Sequence, residues 1–515
     1  MMAHRDPAWW NLRRPHWRTS AWVFGLLVLF WASWVHAGER EEALWLQRLS
    51  FGVTPQSLAD VQRTGREAWL AQQWRRDMPL ASVPAVQARI ENLKVSQLTG
   101  LQALAQVQAQ RALLRERTDP ASAAMQRKQR KQLRSELDAL QGQAIQRTLL
   151  RAVYSPQPLR EVLTWFWFNH FNVVAEGDFV LQAMVGDYEQ NVIRHHATGR
   201  FRDLLQAVAT HPAMLVYLNN DRNVRGHINE NYARELMELH TLGVDGGYTQ
   251  QDVQQLARIL TGLSVGRPGD SRLPDGAVSL SGGLALFLPR RHEPGPKTLL
   301  GRTLDQDGWA QIEQALDMLA HHPATARYIS LKLARYFVAD EPSPDLVQRL
   351  SRRFLDTEGD IAAVMQTLVN SPEFAASLGR KFKDPVHYVV SAVRLMLPND
   401  PVELRVARLQ GWLRQLDEPL YGRRTPDGYP LVASAWNGSG QMTQRFEVAQ
   451  QIAKAQHLDL PEAGGIRLLG PQDEFSQRVW LPGLSSRSRE VLQEAQAHPV
   501  VWRRLLLSTP EFMFR

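Results

Sequence analysis

The chain has 515 residues, no cysteine and a formal net charge of +8 at neutral pH. Without cysteine it builds no disulfide, no thiolate zinc site and no cysteine nucleophile, so stability must come from burial. Arg5, Arg13, Arg14 and Arg18 against Asp6 place +3 of that charge in the first 37 residues, leaving about +5, too mild an excess to mark a nucleic-acid partner.

The first element is a leader. A basic flank precedes AWVFGLLVLFWASWV, an apolar block of 15 residues, and then the small-residue site Val35-His36-Ala37. That three-part pattern predicts a signal peptide over 1–37, cleaved after Ala37, because a span needs about 20 apolar residues. Trp31 and Trp34 would suit an uncleaved anchor, and Arg13-Arg14 would suit a twin-arginine route. Either way, membrane contact is expected only through the leader, and the mature chain is expected in the periplasm or outside the cell.

From Glu39 to Leu263 apolar residues recur at three- and four-residue spacings, which predicts a helical N-terminal region over 38–263. Within it, PAVQARIENLKVSQLTGLQALAQVQAQRALLRER and KQRKQLRSELDALQGQAIQRTLLRAVY read as two long helices joined at Thr118-Asp119-Pro120, an antiparallel hairpin. Its basic cluster Arg127 to Lys131 reads as a solvated face. Composition shifts to Gly, Pro and Ser over 264–301, where AVSLSGGLALFL alternates around Gly282-Gly283 and predicts a β-hairpin. Helical periodicity returns over 302–515 and fails only across LPNDP and the polar run ending in AWNGSG. The predicted fold class is mainly α, a large bundle-like helical protein with a small β-hairpin insertion near residues 277–288.

The densest polar stretch is NENYARELMELHTLGVDGGYT. Asn229 suits a helix N-cap and Gly243 a C-terminal cap, predicting a helix from Glu230 to Leu242. Tyr232, Leu236 and Leu239 fall on one face; Asn231, Arg234, Glu235 and Glu238 fall on another. On a wet surface Arg234 and Glu238 would form an ordinary i,i+4 pair. Long lysines, the usual coating of an exposed helix, are absent here, so the face reads instead as a site. Thr249 to Asp252 is a capping box opening the next helix. Other groups able to converge are Asn169 and His170 in TWFWFNHFNV, and His292 and Lys297 in LPRRHEPGPKTLLG. The expected catalytic set is therefore Arg234, Glu235, Glu238, His170, His292 and Lys297, with Asn169, Asn229, Glu230, Asn231 and His240 binding ligand. His170 as a satisfied core histidine, and HEPGPKT as a plain surface loop, are the competing readings.

Taken together, WFNHF, IRHHATGRFRDLLQAVATHPAMLVYLNN, NENYARELMELHTLGVDGGYT, HEPGPKTLLG, PDGYP and LLSTPEFMFR resemble the bacterial family called domain of unknown function 1800, from LQRLSFGVTP to the last residue. The resemblance implies a helical, exported protein and assigns no activity. Glu293 stands where the family commonly has aspartate, and Leu263 where it commonly has tryptophan. It also implies a partner, an exported protein of the family called domain of unknown function 1501, which looks like the alkaline phosphatase and sulfatase superfamily.

Two functional classes stay open. A carboxylate and histidine cluster in a helical bundle can hold a divalent metal that activates water, or can act without metal as general acid and base. No His-Glu-x-x-His, nucleophile elbow or Walker loop is present, and Glu238-Leu239-His240 has the wrong spacing for a di-iron site. The alternative is a non-catalytic helical scaffold that binds an exported sulfatase-like partner or an envelope polymer, with Trp165, Trp167, Trp436 and Tyr429 available for stacking or packing.

Overall fold

Proline marks many of the helix starts. Pro55, Pro158, Pro212, Pro323, Pro344, Pro372, Pro385 and Pro499 all open helices, where the missing N–H costs no hydrogen bond and the fixed φ already suits the helix. At several of these starts the preceding side chain caps the helix: Thr54, Ser343, Ser371 and Asp384 accept from backbone N–H groups one turn on.

The computed structural model describes residues 38–75, 78–80, 83–116, 123–268, 273–397, 403–459 and 468–515. The fold is mainly α, as the periodicity predicts. The expected leader and the turn at Thr118 to Pro120 lie outside the described residues. None of the described helices is long and apolar enough to cross a membrane.

The second arm of the long hairpin is a helix of 32 residues, Ala123–Tyr154. The first arm is not one helix but three, Pro84–Glu91, Lys94–Gln97 and Gly100–Glu116, because Leu93 and Leu98 take extended backbone. Arg127, Lys128, Arg130 and Lys131 are all exposed, a solvated face as expected. The Pro158–His170 helix carries WFNHF and is buried along its whole length, so it forms an axis of the core.

The hairpin at Gly282-Gly283 is present, and it belongs to a larger sheet. β1 (Leu263–Val265), β2 (Val278–Leu280) and β3 (Ala285–Phe287) make an antiparallel sheet in the order β1-β3-β2, with Leu263 and Val278 both opposite Phe287. The expected helix through Leu263 ends earlier, at Ile259, and Gly262 turns the chain into β1 with a φ of 87°. A second ribbon pairs β4 (Lys297–Leu299) with β5 (Arg302–Leu304), so Lys297 lies on a strand and not in irregular loop.

The first and last sequence motifs meet in the core. Arg48 of LQRLSFG is fully buried and donates to the carbonyls of Phe337 and Arg515 at 2.6 Å each and to Ser377 Oγ at 2.7 Å. Arg515 of PEFMFR donates to Tyr336 O at 3.0 Å and contacts His387 Nε2 at 2.8 Å. His387 Nδ1 faces Asp384, whose carboxyl is held well below the usual range against the cost of burial by His387 and then Arg515. Glu418, buried beside Asp384 and bonded to Val386 N–H at 2.9 Å, is pushed the other way. These motifs thus build framework.

Candidate functional site

The polar helix is shorter than its sequence suggests, running over Asn231–Glu238 with Glu230 as the flanking residue and no side-chain cap. Asn229 does not cap it. Asn229 Oδ1 accepts from Asn231 N–H at 3.0 Å, and Asn231 Nδ2 donates to Leu218 O at 3.1 Å, so both asparagines shape the entry turn. At the far end His240 N–H reaches Glu235 O at 3.0 Å, and Leu242 and Gly243 both reach Met237 O, at 2.8 and 3.2 Å. This wide exit needs glycine: Gly243 has a φ of 83°, and a Cβ there would lie 2.9 Å from the Tyr328 ring.

Tyr232, Ala233, Leu236 and Met237 face the core, while Arg234, Glu235 and Glu238 are half-buried. Arg234 pairs backwards with Glu230 at 3.3 Å and with Gln250 Oε1 at 2.9 Å, in place of the expected pair with Glu238. Glu238 instead accepts from the Tyr248 hydroxyl at 3.3 Å.

A second wall comes from the PDGYP loop. Asn169 Nδ2 donates to Tyr429 O at 2.9 Å and its Oδ1 accepts from Tyr429 N–H at 2.6 Å, while Asn172 Nδ2 donates to the carbonyls of Arg423 and Thr425. Gly428 has a φ of 76°, and a Cβ on it would lie 2.2 Å from Asn169 O, so only glycine lets the loop approach. Asn169 is therefore a positioning residue with its whole amide engaged by backbone. The loop it holds presents Asp427, paired with Arg423 at 3.1 Å. A third wall is the Pro323–Phe337 helix, whose Lys332 ammonium sits 5.5 Å from the Tyr328 ring centroid.

These walls share one electrostatic field. Burial first, then Glu238 and Asp427, raise the Glu235 carboxyl above its usual range. Burial, aided by Arg335 and opposed by Asp427, brings the Lys332 ammonium down to about 8. Tyr328 is pushed up to about 12 by burial, with Glu238 and Asp427 adding to it, and Tyr217 to about 12 by burial with Glu235 and Asp427 adding. Asp427 is thus felt by Glu235, Lys332, Tyr217 and Tyr328 together.

His170 and His240 are both buried. His170 Nε2 contacts His240 O at 3.1 Å, and the two rings are 6.2 Å apart among Phe166, Trp167 and Phe171. Burial and the charge of Lys332 hold His170 well below the ordinary histidine value and His240 down at about 3, so both rings are neutral. The His170 ring lies 6.2 Å from the Tyr328 ring.

The HEPGPKT group is organised around different partners. His292 Nδ1 faces Thr261 O at 2.9 Å, its Nε2 lies 3.5 Å from Asp307, and Lys297 Nζ contacts His292 Nε2 at 3.4 Å and donates to Glu293 O. Both His292 and Lys297 are buried. Among the described residues no hydrogen bond or ion pair ties this group to the Asn231–Glu238 helix. Glu235 and Glu238 therefore share one field with Lys332 and Asp427, and the charge of Lys332 also reaches His170 and His240. Among the described residues no cluster of three or more His, Asp or Glu side chains is placed to hold a metal ion.

Lys332, Asp427, Tyr217 and Tyr328 were not among the residues picked from sequence. Asp427 lies inside PDGYP and could have been found there; Lys332, in a regular amphipathic helix, carries no local signal.

No curated protein and no solved structure matches the chain. The family described as "Protein of unknown function (DUF1800)" matches residues 44–514, nearly the whole chain, and so takes in Glu235, Lys332, Asp427, His170 and His240. The chain belongs to that family.

Proposed function

We propose that the protein is an exported envelope enzyme that works by proton transfer in the cleft between Glu235, Lys332 and Asp427. One observation carries this reading: a carboxyl raised from its ordinary value and an ammonium lowered to about 8 share the neighbour Asp427. Groups driven toward neutrality from opposite sides that share one charged neighbour are the arrangement that acid–base catalysis needs. Glu235 is the proton donor or acceptor, Lys332 its counterpart, and Glu238 with Asp427 sets their proton affinities. Tyr217, Tyr248 and Tyr328 supply the rim on which a polymer segment can stack. Export rests on the leader pattern in residues 1–37, and the exported partner of family 1501 rests on the resemblance alone.

The test incubates purified mature protein with isolated cell-envelope polymer and follows released products by mass spectrometry. Wild type should release products that Glu235→Gln and Lys332→Met do not, with all three proteins equally folded. Equal release by Glu235→Gln overturns the reading. Binding of the polymer without turnover, retained in both variants, favours the scaffold reading that the tyrosine rim also supports. Export is checked by the mass of the N-terminus, which should begin at Gly38.

A further inference from the structure

A second cleft, of about 660 Å³, is lined in part by Val216, the neighbour of Tyr217, whose hydroxyl donates to Arg424 O at 2.8 Å. The second cleft is bounded by the Gly100–Glu116 helix, the end of β1 and the residue before the HEPGPKT motif, Arg291.

Three arginines, Arg111, Arg267 and Arg291, line this space. Arg291 is built in: it donates to Ser264 Oγ at 2.9 Å and to Asp221 O at 2.8 Å. Arg111 is only loosely paired, 3.8 Å from Asp178, and Arg267 has no ion pair among the described residues. The wall behind them is pinned by Gln108, whose amide donates to Gly266 O at 2.8 Å. One carboxyl, Asp221, shares the cleft, beside apolar surface from Val180, Val216 and Val265.

Three arginines on one concave wall, against Asp221 in the lining and Asp178 beside Arg111, leave a net local positive charge. Guanidinium forks match phosphate and carboxylate oxygens in geometry. The Asp221 carboxyl repels a bare anion, but it accepts hydroxyl hydrogens well, and the valines suit the C–H face of a sugar ring. The cleft is too large for an inorganic anion alone and lies within the range of small-molecule sites. We infer that this cleft binds a sugar or polyol bearing an anionic group, with Arg111 and Arg267 on the anion and Asp221 on the hydroxyls. It is independent of the acid–base reading of the first cleft.

The test is isothermal titration of the full mature protein with four probes: inorganic phosphate, glycerol 3-phosphate, glucuronate and uncharged glucose. Glycerol 3-phosphate or glucuronate should bind more tightly than both inorganic phosphate and glucose, and which of the two wins separates phosphate from carboxylate as the anionic group. Arg267→Gln and Arg111→Gln, both at exposed or half-exposed positions and so safe for folding, should each weaken that binding about tenfold. Asp221→Asn should erase the advantage over inorganic phosphate, and Glu235→Gln should leave binding unchanged. Binding of glucose as tight as that of the anions, no binding of either anionic probe, or indifference to both arginine substitutions overturns the proposal.

Discussion

Asn169 holds Tyr429 by both ends of its amide, giving a hydrogen bond to the Tyr429 carbonyl and taking one from the Tyr429 N–H, across 260 residues of sequence. This one side chain fixes the loop that presents Asp427 to the cleft. Gly428→Ala should therefore destabilise the protein by about 2–4 kcal/mol, from a left-handed φ and a forced contact with Asn169 O. Asn169→Ala should cost about 2–3 kcal/mol by stranding two backbone groups. Urea denaturation of the two variants measures both, and a loss under 0.5 kcal/mol (about the noise of a surface change) for either would show that the loop is not clamped.

The cleft charges should be coupled in solution. Glu238→Gln should lower the raised pKa of Glu235, because Glu238 is the largest charge acting on it, and Asp427→Asn should lower that of Lys332 below about 8, because Asp427 holds it up. Carbon-detected NMR titration of the carboxyl and methylated-lysine resonances reads both shifts. Movement of Glu235 upward in Glu238→Gln contradicts the geometry.

Acid should unfold this protein early. His240 and His457 are held at about 3 and His387 at about 4, chiefly by burial, and His170 lies well below its ordinary value. A histidine with a depressed folded pKa binds protons more readily when unfolded. Its share of stability is complete above the unfolded value near 6.5 and is lost as pH falls toward the folded value. Each such group lowers stability by up to about 1.4 kcal/mol per pH unit inside that window. Denaturation midpoints should fall steeply from pH 6.5 to pH 4, and His457→Phe should flatten the slope; a midpoint constant across that range would falsify the assignment of neutral buried rings.

Removing Arg48 should be among the most damaging single changes. Arg48→Met strands the carbonyls of Phe337, Ser377 and Arg515 in the core, at about 3 kcal/mol or more in total. Arg405→Met, whose salt bridge to Asp459 is exposed, should cost under about 1 kcal/mol. Chemical denaturation of the pair compares them, and similar losses would remove the distinction between framework and surface arginines.

How much of this could be read in advance depended on the range of the forces involved. Helices were legible because periodicity is local, and Gly282-Gly283 marked its hairpin for the same reason. β1 and the β4–β5 ribbon were not, since three residues are too few to show alternation and their pairing partners are remote. The half-burial of Glu235 and Glu238 was signalled by the missing lysines. The clamp that Asn169 forms leaves no local signal because its partner lies in PDGYP, and Lys332 leaves none because only folding brings it into the field of Asp427. His292 and Lys297 carried the right residue types, yet Thr261 and Asp307 claim them.

The contact between Arg48 and Arg515 spans 467 positions. A ribosome delivers the chain from its first residue onward, so the buried guanidinium of Arg48 stays without one of its final acceptors until residue 515 has been made. The N-terminal helix that carries Arg48 therefore completes its buried hydrogen bonding only when the segment around residue 515 is in place.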